Sequence, residues 1–488
     1  MKRNRLVHLL AFTAIQCLLL TLMPQCTNEI PKGANYLTFK AEEDNSTFQI
    51  IRPTSYEYRK RNKIKKRLKK KVIEATPYVQ YSTNGGKSWR PLRDNETVTL
   101  QHKGDSVLLR GENPNGFTTN YNETHFSMKG RIAASGSVMS LIDGIGETTI
   151  IPCSNCFKEL FVDCTSLTQA PQLPATDLKD NCYMGMFMNC TSLRKAPELP
   201  ATHLAENCYG KMFMKCASLE QMSELPATDL KPRCYESMFY ECVKLKEAQD
   251  LPATILASCC YQSMFAGCSQ LTQAPQLPAT ILEEYCYYAM FADCSQLAQA
   301  PDLPATKLTG RCYANMFHKC YSLKKAPQLP ATKLDKECYN AMFMECTALE
   351  VAPELPAIHL AEGCYKEMFR DCDSLRQAPD LPAPKLKDEC YTRMFAGCTL
   401  LEKAPELPAS TMALNCYKEM FADCHHISEI KVGLTKWGEG RGSEENKYWD
   451  NSLWLDNVSP TGTFICPKAL PEEFGEDKIP YDWKVKHP

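Results

Sequence analysis

Residues 182–207 read C-Y-M-G-M-F-M-N-C-T-S-L-R-K-A-P-E-L-P-A-T-H-L-A-E-N. The same 26-residue phrase, C-Y-x-x-M-F-x-x-C-x-x-L-x-x-A-P-x-L-P-A-T-x-L-x-x-x, is said eleven times between Cys156 and Cys424. Its first cysteine advances without slippage through Cys156, Cys182 and Cys208 to Cys416. A fixed period of this length marks a solenoid, in which each unit buries its apolar face only against its neighbours.

Within a unit, apolar residues fall at Leu178, Cys182, Met186 and Cys190, with Tyr183 and Phe187 beside them. Steps of four predict an α-helix, with Thr176 as its N-cap. The run Ala196-Pro197-Glu198-Leu199-Pro200 is extended, because each proline blocks helix and pushes the preceding residue towards β or polyproline conformation. Proline also lacks the N–H of a ladder, so a strand is confined to Leu193–Ala196. One helix and one short strand per unit make an α/β solenoid of leucine-rich-repeat type. Helices pack about 8–10 Å apart and strands about 4.8 Å apart, so the expected stack curves with strands on the inner face.

The phrase M-F-x-x-C-x-x-L-x-x-A-P-x-L-P resembles the repeats of BspA-like leucine-rich-repeat surface proteins of gut and oral bacteria, over about 270 of the 488 residues. The resemblance implies a cell-surface or secreted protein that adheres to host or bacterial partners, and it implies no catalytic residues. The pieces Trp454–Pro467 and Ile479–Val485 also resemble C-terminal segments of that family.

The flanks differ. Residues 1–26 read as an export signal: Lys2, Arg3 and Arg5, then an apolar run from Leu6 to Met23. The run ends at Cys26, which invites lipidation in the manner of a bacterial lipoprotein. The preceding L-M-P-Q departs from the usual small residue, leaving ordinary cleavage or a retained anchor as alternatives. Nothing later is long and apolar enough to span a bilayer. The expected location is the cell surface or outer membrane, through a lipid anchor. A small all-β sandwich is expected over 27–145 from short β-rich runs (Tyr36–Phe39, Phe48–Ile51, Tyr78–Tyr81, Thr97–Leu100, Val107–Arg110). The solenoid is expected over 146–430. A capping segment over 431–488 holds Trp437, Trp449, Trp454 and Trp483, four of the chain's five tryptophans.

Two motifs of the N-terminal part suggest function. Ser82-Thr83-Asn84-Gly85-Gly86-Lys87-Ser88-Trp89 matches the Asp-box hairpin, but one copy cannot build a propeller, and its reading is structural. Residues 59–71 hold ten basic residues in thirteen. The plain reading is a solvated loop. The sharper one is a polyanion site at Lys65, Lys66, Arg67, Lys69, Lys70 and Lys71. No aromatics interleave with the charges, and nucleic acid is not an expected partner.

Of 27 cysteines, 22 lie in the two repeat columns. Eight residues of helix rise about 12 Å, too far for a disulfide, so the columns read as buried reduced thiols filling tight positions. Cys153 and Cys156 form a C-x-x-C without the second pair that a zinc site needs. No nucleophile elbow, P-loop or HExxH motif is present, and no cofactor or catalysis is expected. Net charge is −1, which implies no global electrostatic partner.

The column at Glu198, mixed Glu, Asp and Gln, and the variable columns at Arg194 and Lys195 decorate the strand face unevenly. A soluble outer face gives that pattern, and so does an extended ligand site over the middle units, at Lys246, Asp250, Asp302, Lys324 and Lys325. The expected partners are surface proteins of host or bacterium, extracellular matrix among them, or else glycans. No repeat column carries tryptophan, which favours protein over glycan.

Overall fold

The computed structural model describes residues 33–52, 76–118, 124–438, 441–443, 446–448 and 450–488. Cys26, the basic run 59–71 with its six candidate residues, and Trp449 lie outside the described residues.

The N-terminal part is built on alternating patterns: in S-T-F-Q-I-I, Phe48 and Ile50 point inward. Its described residues form eight strands: β1 (Leu37–Ala41), β2 (Ser46–Ile51), β3 (Gln80–Ser82), β4 (Arg90–Pro91), β5 (Val98–Leu100), β6 (Ser106–Arg110), β7 (His125–Lys129) and β8 (Ile132–Ser135). Antiparallel pairing arranges β5, β2 and β7 in one sheet and β4, β3, β6, β1 and β8 in another. Phe39 of the second sheet meets Phe48 and Phe126 of the first edge-on, at 5.1 and 5.2 Å between ring centres. The second sheet gains a sixth strand, β9 (Leu167–Gln169), which pairs in parallel with β8 and belongs to the first repeat. Sheet and core therefore run across residue 145. Phe126 stacks on Phe161 at 5.5 Å, and the amides of Thr118 and Phe126 donate to the carbonyls of Cys156 and Leu160.

The repeats contradict the α/β expectation. The described residues hold one four-residue helix, Ser140–Asp143, and it lies outside the repeats. Segments expected as helices are chains of linked turns. Every fourth residue has positive φ: Asn181 (55°), Gly185 (59°) and Asn189 (62°). The even amides from Cys182 to Cys190 donate to the residue three back, at 3.0–3.1 Å. The odd amides, from Asn181 to Asn189, donate to the next unit at Glu206, Cys208, Gly210, Met212 and Met214, at 2.8–3.0 Å. With no helix to cap, Thr176 is exposed, and its carbonyl accepts from the amide of His203.

A period of four suits both a helix stripe and this turn ladder, since each four-residue turn buries a pair of side chains (Cys182-Tyr183, Met186-Phe187) and leaves Met184, Met188 and Asn189 between them only half-buried. What separates them is where the odd amides go. Helices would have to sit about 8–10 Å apart, while the proline-rich side is stacked at strand spacing of about 4.8 Å. The turn ladder hydrogen-bonds both sides at backbone distance. Stacked rings of the Tyr and Phe columns recur at 5.5–6.2 Å between centres, and the spacing mismatch that would have bent the stack is gone.

The conformation has a local cost. A left-handed residue with a side chain is unfavourable by roughly 1–2 kcal/mol, and other units place Arg233, Ser237 and Glu241 there. Five inter-unit bonds at about 0.5–1.5 kcal/mol each, plus burial of Tyr, Met and Phe at about 1.5–3 kcal/mol each, outweigh it. Lys211 (φ 57°) and Lys215 (φ 63°) give a test by sign. Replacing both with glycine should leave the melting temperature unchanged or raise it, because glycine enters this region freely. A helix would instead lose a few tenths to about 1 kcal/mol per glycine, and that outcome would sink the turn ladder.

On the other side the strand expectation holds in place but shrinks in length. Lys195↔Gln221, Gln273↔Gln299 and Gln377↔Lys403 are single parallel bridges at the expected position. A second bridged column was not expected, at Asp177↔His203, Ile255↔Ile281 and Lys333↔His359.

The cysteines of the two repeat columns are buried and form no disulfide, and the second column has a further task. Cys190 Sγ donates to the Phe161 carbonyl at 3.1 Å, and the pattern repeats through Cys424 Sγ to Phe395. A thiol can donate where alanine cannot.

Beyond the last signature unit, residues 450–457 (D-N-S-L-W-L-D-N) repeat the geometry without the motif. Tyr417, Glu419, Phe421 and Asp423 donate to the carbonyls of Asp450, Ser452, Trp454 and Asp456, and Leu453 and Asn457 have φ of 53° and 54°. Trp454 lies on Tyr417 at 6.0 Å. Strands β10 (Glu429–Lys431), β13 (Gly462–Ile465) and β14 (Trp483–Lys486) form a parallel sheet, while β11 (Arg441–Ser443) and β12 (Asn446–Tyr448) form a hairpin. Trp437 and Phe464 pack on Trp454, closing that end.

Candidate ligand-binding face

The face rests on the segment Leu193–Pro200. Leu193, Ala196 and Leu199 are buried, while Arg194, Lys195, Glu198 and Pro200 are exposed. The bridge at the Lys195 column holds each segment in register with the next. Side chains of equivalent columns therefore stand about 4.8 Å apart.

All five sequence candidates are exposed there: Lys246 and Asp250 in one unit, Asp302 two units on, and Lys324 with Lys325 in the unit after. They span four consecutive rungs, roughly 15 Å along the stack. Asp250 is not free, because its Oδ1 accepts the Gln276 amide at 2.9 Å. It pins one rung to the next as well as contributing charge. Further along, Arg376 and Glu402 pair between adjacent rungs at 2.6 Å. Exposed pairs of this kind contribute little stability.

Sequence reasoning missed an open groove of about 630 Å³ on this face, lined by Glu350, Val351, Glu354, Pro356, Gln377 and Asp380 among others. Its signal is readable in hindsight. Val351 is the one apolar residue in a column otherwise made of Lys, Gln and Glu, and it is 51% exposed. An apolar floor flanked by Glu350, Glu354 and Asp380 suits an aliphatic stem ending in a cation, as in lysine or arginine.

Elsewhere the motifs prove structural. In the Asp-box hairpin, Ser82 Oγ accepts the Gly86 amide and Asn84 Oδ1 accepts the Ser88 amide. Trp89 is covered by Tyr36, at 5.0 Å between ring centres, and by the Arg110 guanidinium 4.2 Å away. Among the described residues, no three His, Cys, Asp or Glu are placed to hold a metal ion, and no helix is long and apolar enough to cross a membrane. Burial pushes the Cys156 thiol well up, with the neighbouring Cys153 adding to the shift, the opposite of an activated nucleophile.

Comparison with known proteins agrees with the geometry. No curated protein matches the chain. The family model described as the BspA type leucine rich repeat region matches six copies, over residues 155–298 and 206–350. With their stacked 26-residue rungs, residues 155–350 of the chain form a BspA-type leucine-rich-repeat region.

Proposed function

We propose that the protein is a non-catalytic binding protein of the bacterial surface, presenting the face of the Lys195 and Glu198 columns to protein ligands. One observation carries the reading: uneven charge on an even frame. Inward columns scarcely change, whereas the Arg194 column runs Thr168, Arg194, Glu220, Lys246 and Thr272, all on regularly spaced backbone. Weak contacts repeated along such a ladder add to useful affinity. The groove at Val351 supplies a seat for a basic side chain of the ligand. Glycan capture is the second reading. The absence of tryptophan from every repeat column counts against it.

In the same proposal the N-terminal strands form a sandwich-like domain over 27–145, the solenoid covers 146–430, and residues 431–488 form the cap. Cys26 is the lipid anchor that holds the chain at the outer membrane. The run Lys65, Lys66, Arg67, Lys69, Lys70 and Lys71 is a secondary contact for polyanions.

The test uses the full chain and a variant combining Lys246→Glu, Asp250→Asn, Asp302→Lys, Lys324→Glu and Lys325→Glu. Asparagine at 250 keeps the acceptor for the Gln276 amide, so the melting temperature should not fall. On arrays of surface and matrix proteins and of glycans, the parent should bind protein and the variant should lose most of that binding. Equal binding by both would remove the ligand from this face. Expressed in bacteria, Cys26→Ala should move the chain from the membrane to the soluble fraction. Unchanged partitioning would end the anchor proposal without touching the binding reading.

A further inference from the structure

The second bridged column, at the variable residue of A-T-x-L, is sorted by charge along the stack. After Ile150, which bridges to Asp177 and is 68% exposed, three rungs carry Asp177, His203 and Asp229. Ile255 and Ile281 follow, bridged to each other and 57% and 53% exposed. Lys307, Lys333, His359 and Lys385 complete it. All nine side chains from Asp177 to Lys385 are exposed. Beside them run ladders of exposed threonine (Thr202, Thr228, Thr254) and proline (Pro200, Pro226, Pro252), with Ile358, 49% exposed, in the threonine position beside His359. An acidic end, an apolar centre and a basic end on one ladder are complementary to the same ladder reversed.

We propose that this face pairs with the same face of a second copy of the chain, antiparallel, about a two-fold axis at Ile281. The axis sets Ile281 against itself, Asp229 against Lys333, Asp177 against Lys385, His203 against His359 and Ile255 against the aliphatic stem of Lys307. A parallel pair would set like charge against like, so the sorting of the column selects the antiparallel arrangement. Such a contact is isologous and closed, and it stops at a dimer. Within the column His203 Nδ1 lies 3.3 Å from Asp177, and Lys179, Glu283, Asp335 and Lys387 flank it two residues on. Lys231 turns back on Asp229 at 2.9 Å, an exposed pair of the weak kind that a facing lysine can replace. The carboxylates of the Glu198 column lie five residues away, about 16 Å along extended backbone, outside the contact. Nine rungs give a ladder about 40 Å long. At roughly 10 Å in width the pair buries about 800 Å² in total, less than standard interfaces do. The association is therefore weak and salt-sensitive, suited to chains concentrated on one surface. It does not depend on the ligand-binding proposal, since it uses a different column.

Sedimentation of the purified full chain decides. At about 100 µM the parent should dimerise in low salt and dissociate at about 0.5 M salt, where screening is strong. Lys333→Glu with Lys385→Glu makes the ladder acidic at both ends. Asp177→Lys with Asp229→Lys makes it basic at both ends. Each variant alone should be monomeric, with the melting temperature of the parent, and their equimolar mixture should regain the dimer. Misfolding cannot produce that regain. A parent that stays monomeric in low salt, variants that dimerise as the parent does, or a mixture that fails to associate would each overturn the proposal.

Discussion

Raising the pH through about 9 to 12 should unfold the repeats under reducing conditions, because the buried thiols must ionise in the unfolded chain. Burial, first among the causes, pushes Cys208, Cys216, Cys260, Cys268, Cys312, Cys346, Cys364 and Cys416 up to about 12. Other column thiols, such as Cys182 and Cys242, are raised for the same cause. In the unfolded state a thiol titrates near 8.5. A folded-state pKa above the unfolded one contributes stability that is fully present below the unfolded value. It is lost as pH rises towards the folded value, because the unfolded chain sheds protons that the folded chain holds. Each thiol then contributes about 1.4 kcal/mol of loss per pH unit. One unit above the unfolded pKa, the eight thiols together remove roughly 11 kcal/mol, comparable to the whole stability of an ordinary domain. The buried tyrosine column, also raised by burial at Tyr209 and Tyr287, adds in the same direction at higher pH. Circular dichroism melts at closely spaced pH values should show a steep fall beginning near pH 9. Stability that stays level to about pH 11 would mean that the thiols are not buried and protonated, as it would if they were disulfide-bonded.

The second large effect is expected at the centre of the stack. Phe291 is wholly buried between Phe265 and Phe317, at 5.8 and 5.7 Å with rings within 9° of parallel. Phe291→Ala should cost about 3–5 kcal/mol, the transfer of a phenyl ring plus the cavity left behind. In a linear stack each rung contacts only its neighbours, so the damage should separate the melting of the two flanks. Hydrogen exchange should show loss of protection centred on the rungs of Cys260, Cys286 and Cys312, while the sheet at β1 and β8 keeps its own. A loss below about 1 kcal/mol would show that the ring stack is not the core that sets stability.

Much of this was legible in the residues. The period, the inward columns (Cys182, Tyr183, Met186, Phe187, Cys190, Leu193) and the outward ones (Arg194, Lys195, Glu198) follow from spacing and polarity, and burial agrees with them. Five of the eight N-terminal strands stand where alternation placed them. The double duty of Asp250 was not legible, because its bond reaches the next rung, 26 residues away. The groove at Val351 was not either: it exists only where two rungs meet.

The sequence by itself determined that the chain is a stack of like units, which residues line its core, and that aromatic residues close its C-terminal end. Only the tertiary structure decided that the units are turn ladders rather than helices. Steps of four serve both, and left-handed residues at Arg233, Ser237 and Glu241 carry no local signature of glycine or asparagine. The choice depends on where the amides of Asn181, Tyr183 and Phe187 find acceptors. A lone unit has no such acceptors to offer them. Rungs held at about 4.8 Å by their extended sides leave no room for helices, and the amides of one rung turn to the carbonyls of the next.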